Sequence, residues 1–159
     1  MDIKLSYRIY SNYTGRHFVT IDDEGTKLLC VREENEINLF KDSISWVKIA
    51  NETLYFDNEY FGNIKIVKKG LAWKVGNILI KSKEDSFEAV QPRLVLPFFA
   101  NRLNVKKNEE SIGHIIVKDM MFFLDVKVFS SQSQNSQIFA AFALLCYEVV
   151  LLNYHYNSC

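Results

Sequence analysis

The acidic and metal-binding residue types in this chain do not have the spacing that a metal site needs. Asp57 and Glu59 open a segment with glycine at its sixth position, as an EF-hand loop does. That loop also requires an oxygen ligand at position five and glutamate at position twelve, where this chain has Phe61 and Lys68. The histidines show neither HxH nor HExxH spacing, so zinc is not expected. The sequence therefore predicts no metal and no cofactor.

The nucleophilic side chains give no sign of a catalytic centre. Cys30 and Cys146 stand in apolar runs, where burial makes a thiol inert. The third cysteine, Cys159, is terminal, and no CxxC pair occurs, so neither a disulfide framework nor a zinc site is expected. GxSxG, P-loop and GxGxxG motifs are absent from the sequence. We therefore predict a protein that is not an enzyme and has no catalytic residues.

Charged residues are unevenly distributed along a chain whose formal net charge is zero. Residues 1–59 hold 7 basic and 11 acidic side chains, whereas residues 60–128 hold 12 basic and 7 acidic ones. A nucleic-acid binder usually shows an overall basic excess, so no nucleic-acid partner is expected. The basic segment contains candidate contacts for anionic lipid headgroups: Lys65, Lys68, Lys69, Trp73, Lys74, Lys81 and Lys83. The alternative, a solvated strand face whose lysines prevent edge pairing, is the more common arrangement.

Short β-type segments separated by turn residues occupy the first 130 residues. Apolar and polar residues alternate in several of them, and their close spacing is typical of a sandwich or barrel. The predicted segments are 3–9, 17–21, 26–32, 37–40, 44–49, 53–56, 62–67, 71–75, 78–81, 87–90, 94–99, 103–106, 112–117 and 121–129. The dipeptide Gly76-Asn77 predicts a tight hairpin between two of these segments.

One helix is predicted over residues 137–154, with Ser136 as its N-cap. Its first half is apolar on every face, and such a helix must be surrounded by a membrane or by protein. The apolar run 138–152 contains Glu148 and is shorter than the roughly 20 residues of a membrane span, so protein is expected to surround it. The expected central residues of this helix are Ile138, Phe139, Phe142, Leu145 and Val149.

The length of 159 residues fits one domain, 1–159. Its expected fold is mainly β (α+β): an antiparallel β-barrel of about twelve strands that encloses the hydrophobic C-terminal helix. A closed barrel hides its sheet edges and gives the helix apolar neighbours on all sides. Two packed sheets with an inserted helix remain an alternative at this point.

This order of elements resembles the tubby C-terminal-like superfamily, which includes tubby proteins, phospholipid scramblases and LURP-one-related proteins. Residues 18–29 look like a hairpin common in that family, and residues 61–64 and 112–115, FGNI and IGHI, look like its entry into a mid-barrel strand. The resemblance covers nearly the whole chain and suggests a minimal bacterial form. It implies a barrel of about twelve strands around a hydrophobic helix, and a non-enzymatic role linked to lipids or membranes.

The functional expectation is a non-enzymatic binding protein whose partner is an anionic phospholipid surface or another protein. The N-terminus lacks the basic and apolar regions of a signal peptide, so a cytoplasmic protein, peripheral to the membrane when lipid-bound, is expected. Two alternatives stay open. One is a small-ligand carrier or enzyme that uses the barrel mouth, and the other is a regulatory or stress-response interaction protein.

Overall fold

The computed structural model describes residues 3–11, 17–23, 26–33, 35–67, 77–90, 101–119, 123–130 and 136–157. The strands are β1 (Ile3–Ser11), β2 (His17–Asp23), β3 (Thr26–Glu33), β4 (Glu36–Lys41), β5 (Ile44–Ala50), β6 (Thr53–Phe56), β7 (Glu59–Val67), β8 (Asn77–Ser82), β9 (Ser86–Val90), β10 (Asn101–Lys107), β11 (Glu110–Asp119) and β12 (Phe123–Ser130). The helix, α1 (Ser136–Asn157), begins one residue before the predicted start and ends three residues after the predicted end. Among these residues, no helix has the length and apolar character needed to cross a bilayer.

The strands pair in antiparallel fashion with their neighbours in the chain, as short connections favour. In addition, β1 pairs with β12, from Ile3 opposite Ser130 to Tyr10 opposite Phe123. The other edge of β1 pairs with β2. The prediction of a mainly β, antiparallel fold with one C-terminal helix is therefore confirmed.

Three hairpins, β4–β5, β6–β7 and β10–β11, share the same local construction. Both residues of each two-residue turn have positive φ, between 48° and 72°, which is the geometry of a type I′ turn. The returning strand then carries one extra residue at its third position: Trp46, Phe61 and Ile112. Such bulges bend a strand and increase its twist, so these hairpins curve the sheet.

The apolar core lies between the strands and α1. Buried and less buried residues alternate along β4, β5, β8 and β9, so one face of each strand points into the core. Every residue of α1 from Ile138 to Cys146 is at most 4% exposed. Because nine residues make about two and a half turns, this part of the helix is covered on all its faces. It packs against β5, β11 and β12.

A side chain at the start of α1 fixes where the helix enters this core. Gln137 Nε2 donates to the backbone oxygen of Trp46 at 3.0 Å and to Asp57 Oδ2 at 3.2 Å. Trp46 belongs to β5, and Asp57 to the β6–β7 turn. The beginning of the helix is therefore attached to the sheet beside the β4–β5 and β6–β7 turns.

The connection before β8 differs from the prediction. Asn77, which the sequence placed in a tight turn, is the first residue of β8 and lies opposite Val67 of β7. Its side-chain amide donates to Glu88 Oε1 of β9 at 3.2 Å, so both neighbours of β8 hold this residue in the sheet. Because both edges of β8 are paired, with β7 and with β9, residues 78–81 cannot pair with residues 71–75, and the predicted tight hairpin is wrong. Gly76 lies outside the described residues. The predicted segments 71–75 and 94–99 lie outside the described residues.

Candidate binding surface

The described part of the interior is filled with apolar side chains. Its buried polar residues are Ser45 and Ser130, and each is hydrogen-bonded: Ser45 Oγ donates to Asn38 Oδ1, and Ser130 Oγ donates to the oxygen of Ile112 at 3.1 Å. Burial raises the pKa of the Cys146 thiol from 9.0 to about 12, which keeps it protonated and unreactive. Among the described residues, no group of His, Cys, Asp and Glu could hold a metal ion. We next consider the outer surface of the described strands.

The expected central helix residues lie in this filled interior. Ile138, Phe139, Phe142 and Leu145 are buried among the strands. Val149 belongs to α1 but falls outside the residues whose side chains the structure describes.

The predicted lipid contacts are partly brought together by β7 and β8. Lys65 and Lys81 are exposed on these neighbouring strands, where Lys65 lies opposite Leu79 and Lys81 opposite Asn63. Lys83 is exposed in the connection to β9. The remaining candidates lie outside the described residues: Lys68, Lys69, Trp73 and Lys74.

A row of cross-strand neighbours extends this basic region from β7 to β10. Lys65 lies opposite Leu79, Leu79 opposite Glu88, and Glu88 opposite Lys106. Lys106 is exposed, whereas Glu88 is half-buried and accepts the hydrogen bond from Asn77. The acid in this row is therefore less accessible than the two lysines at its ends.

A second basic row crosses β10, β11 and β12. Arg102 lies opposite Ile116, and Ile116 lies opposite Lys127. Both basic side chains are exposed, and Ile116 between them is half-buried. We call the exposed basic residues of these strands the basic face: Lys65, Lys81, Arg102, Lys106, Lys118 and Lys127.

Acidic residues in the same part of the sheet lie mainly at the hairpin turns. In the described residues of β7–β12 and their turns, the exposed or turn-located acids are Glu59, Glu84, Asp85, Glu109 and Glu110. Away from the hairpin turns, the acids of the described strands are the half-buried Glu88 and Asp125 and the last residue of β11, Asp119. Two of these acids lie within the basic face: Glu88 is opposite Lys106, and Asp125 is opposite Lys118.

Four residues of the basic face were not among the sequence candidates: Arg102, Lys106, Lys118 and Lys127. They are distant from Lys65 in the chain, and only the antiparallel register places them on neighbouring strands. The available signal was alternation, because each of them follows or precedes an apolar residue that points inward, as Lys127 does between Val126 and Val128.

A surface of different character covers β3 and β4. Leu29 lies opposite Phe40, Val31 opposite Asn38, and Glu33 opposite Glu36. We call these six residues the acidic face. Leu29 is 48% exposed, which is high for a large apolar side chain.

The two glutamates of the acidic face are unequally neutralised. Lys48 Nζ lies 3.9 Å from Glu36 Oε1, and the Asn38 amide donates to the same oxygen at 3.2 Å. Glu33 is exposed at the end of β3. Like charges directly opposite each other are unfavourable in a sheet, and Lys48 offsets this repulsion from the Glu36 side.

Comparison with known proteins adds no relative: no family model matches this chain, and neither the curated proteins nor the solved structures compared with it gave a match.

Proposed function

We propose that this chain is a non-enzymatic binding domain whose basic face associates with the anionic surface of a membrane. Its proposed architecture is a closed antiparallel barrel of twelve strands around α1, as in the tubby C-terminal-like superfamily. The β1–β12 ladder, which joins the first and last strands, supports closure. A second support is that α1 packs both against β5 and against β11 and β12, which lie about half the strand order away.

The burial of α1 is the reason for preferring surface binding to the carrier or enzyme alternative. A small-ligand site needs a roomy cavity with a few convergent polar groups. The described interior instead contains a helix that is buried on every face over residues 138–146. The outer surface is then where the binding chemistry of this fold is expected.

The observation that carries the proposal is the clustering of exposed cations on β7–β12. Each Lys or Arg near an anionic membrane contributes about 1 kcal/mol, so several together give measurable affinity without a specific pocket. The attraction falls off within a Debye length, about 8 Å at physiological ionic strength, so the face must approach the headgroups closely. We accordingly propose that the protein is cytoplasmic and binds peripherally to the membrane.

Removing charge from the basic face is expected to abolish binding to anionic vesicles. The variant Lys65→Gln/Lys81→Gln/Lys106→Gln loses three positive charges, which corresponds to about 3 kcal/mol, or roughly a hundredfold in affinity. Co-sedimentation of the full chain with phosphatidylserine-containing and pure phosphatidylcholine liposomes, at low and high salt, measures this change. The wild type should bind only the anionic vesicles and should dissociate as salt screens the contact.

The matched control keeps the positive charge and replaces the ammonium group of each lysine with a guanidinium group. Lys65→Arg/Lys81→Arg/Lys106→Arg should sediment with anionic vesicles as the wild type does, since a membrane surface reads mainly net charge. Equal binding by the glutamine variant and the wild type, or no binding by the wild type to any vesicle, would refute the lipid proposal.

A further inference from the structure

We propose that the acidic face of one molecule docks onto the basic face of a second copy of this chain. The proposal does not depend on lipid binding and concerns a different partner. It starts from the charges that the two faces carry: Glu33 and Glu36 on the acidic face, and Arg102 and Lys127 in the row on β10–β12. A second copy therefore presents an oppositely charged surface to each of the two faces.

Both faces combine apolar side chains with charged ones. On the acidic face, exposed Leu29 and half-buried Phe40 and Val31 lie beside Glu33 and Glu36. On the basic face, half-buried Ile116 lies between Arg102 and Lys127. An apolar centre beside exposed charges is the usual anatomy of a protein–protein interface.

The Glu33–Glu36 pair supplies a reason why the acidic face gains from a partner. These like charges lie directly opposite each other on β3 and β4, and Lys48 reaches only Glu36 at 3.9 Å. A guanidinium or ammonium group from a second copy would relieve that repulsion. Charge complementarity of this kind speeds association and fixes orientation.

The position of the faces determines the type of assembly. The acidic face lies on β3–β4 and the basic row on β10–β12, so the contact joins two different surfaces. Such a heterologous contact generates rings or open chains, and assembly size should rise with protein concentration.

Analytical ultracentrifugation of the full chain at low salt and at about 1 M salt, where the Debye length is about 3 Å, tests the proposal. At low salt the wild type should sediment with a mass above the 18.5 kDa of one chain, and at high salt with that of the monomer. Leu29→Arg/Glu33→Arg should remain monomeric at low salt, and so should Arg102→Glu/Lys127→Glu. An equimolar mixture of these two variants should associate again, because each then meets a face of opposite charge.

The matched control is Ile44→Arg/Glu59→Arg, which also replaces one exposed apolar residue and one exposed glutamate, here at the tips of other hairpins. It should associate as the wild type does, and circular dichroism should show that all variants keep the native fold. A monomeric wild type at low salt would overturn the proposal, as would salt-independent association, or equal loss of association in the control and in Leu29→Arg/Glu33→Arg. Because these solutions contain no lipid, their outcome is separate from that of the liposome test.

Discussion

Replacing Ala143 with glutamate is expected to abolish folding. Ala143 is 2% exposed in the middle of α1, with Phe142 and Leu144 buried on either side. An unpaired carboxylate placed there cannot reach water, and burying an unpaired charge costs several kcal/mol even after relaxation. The added volume also has no space among close-packed side chains. Since a domain is usually stable by about 5–15 kcal/mol, we expect far-UV circular dichroism of the variant to show the loss of native β structure.

The control for this variant introduces the same side chain on the outer surface. Asn63→Glu changes an exposed residue of β7 and should leave the spectrum and the free energy of unfolding close to those of the wild type. A native-like spectrum for Ala143→Glu would contradict the burial of the helix, because only a solvent-accessible helix face could accept the carboxylate.

Gly113→Ala is expected to cause the second largest loss of stability. A Cβ atom at this position of β11 would lie 2.2 Å from the backbone oxygen of Phe129 and 2.9 Å from Cζ of Phe139 in α1. Its φ of 154° is also one that L side chains rarely adopt. Overpacking costs about 1–3 kcal/mol and an unfavourable backbone conformation about 1–3 kcal/mol more. The free energy of unfolding should therefore fall by about 3 kcal/mol or more. In urea unfolding, this lowers the midpoint concentration by the same amount divided by the m value.

A substitution at a neighbouring position distinguishes the loss of stability caused at Gly113 from a general effect of substituting residues of β11. Ser111 is exposed two residues earlier in the same strand, so Ser111→Ala should leave the urea midpoint nearly unchanged. Coincident unfolding curves for Gly113→Ala and the wild type would mean that β11 and α1 do not approach each other as closely as the structure places them.

The close approach at Gly113 has a counterpart at Gly62. A Cβ atom on Gly62 would lie 2.2 Å from the backbone oxygen of Lys81 on β8. Each glycine directly follows a bulge residue, Ile112 or Phe61, in a hairpin of the same construction. The similar tetrapeptides around them in the sequence thus occupy equivalent positions in two hairpins.

The helix and many strands could be predicted because their signals are local. The stretch after Ser136 is apolar on every face of a helix, which predicts a buried helix. Along β4, β5, β8 and β9, the alternation of apolar and polar residues predicts which side chains point inward. Turn residues such as Asp57-Asn58 also mark their hairpin directly, since both adopt positive φ.

Features that depend on neighbouring strands could not be read from the sequence. Asn77 favours a turn by itself but is held in β8 by Val67 and Glu88. The bulges at Trp46, Phe61 and Ile112 have no common residue type, because they are defined by register. The basic face likewise depends on the register, which places Arg102 and Lys127 on either side of Ile116.

The alkylation rate of Cys146 measures directly how well α1 is buried. Cys146 of α1 and Cys30 of β3 are 0% and 1% exposed, and burial raises the pKa of the Cys146 thiol to about 12, so little thiolate is available at mildly alkaline pH. Peptide mapping by mass spectrometry after iodoacetamide treatment gives a rate for each cysteine. An introduced Ser111→Cys, at an exposed position, provides the rate of a free thiol.

We expect Cys146 and Cys30 to react at the same slow rate, set by global unfolding, and to become as reactive as the introduced cysteine in denaturant. Rapid labelling of Cys146 while Cys30 stays protected would mean that the helix leaves the core without unfolding the sheet, and would contradict the proposed enclosure of α1 by the strands.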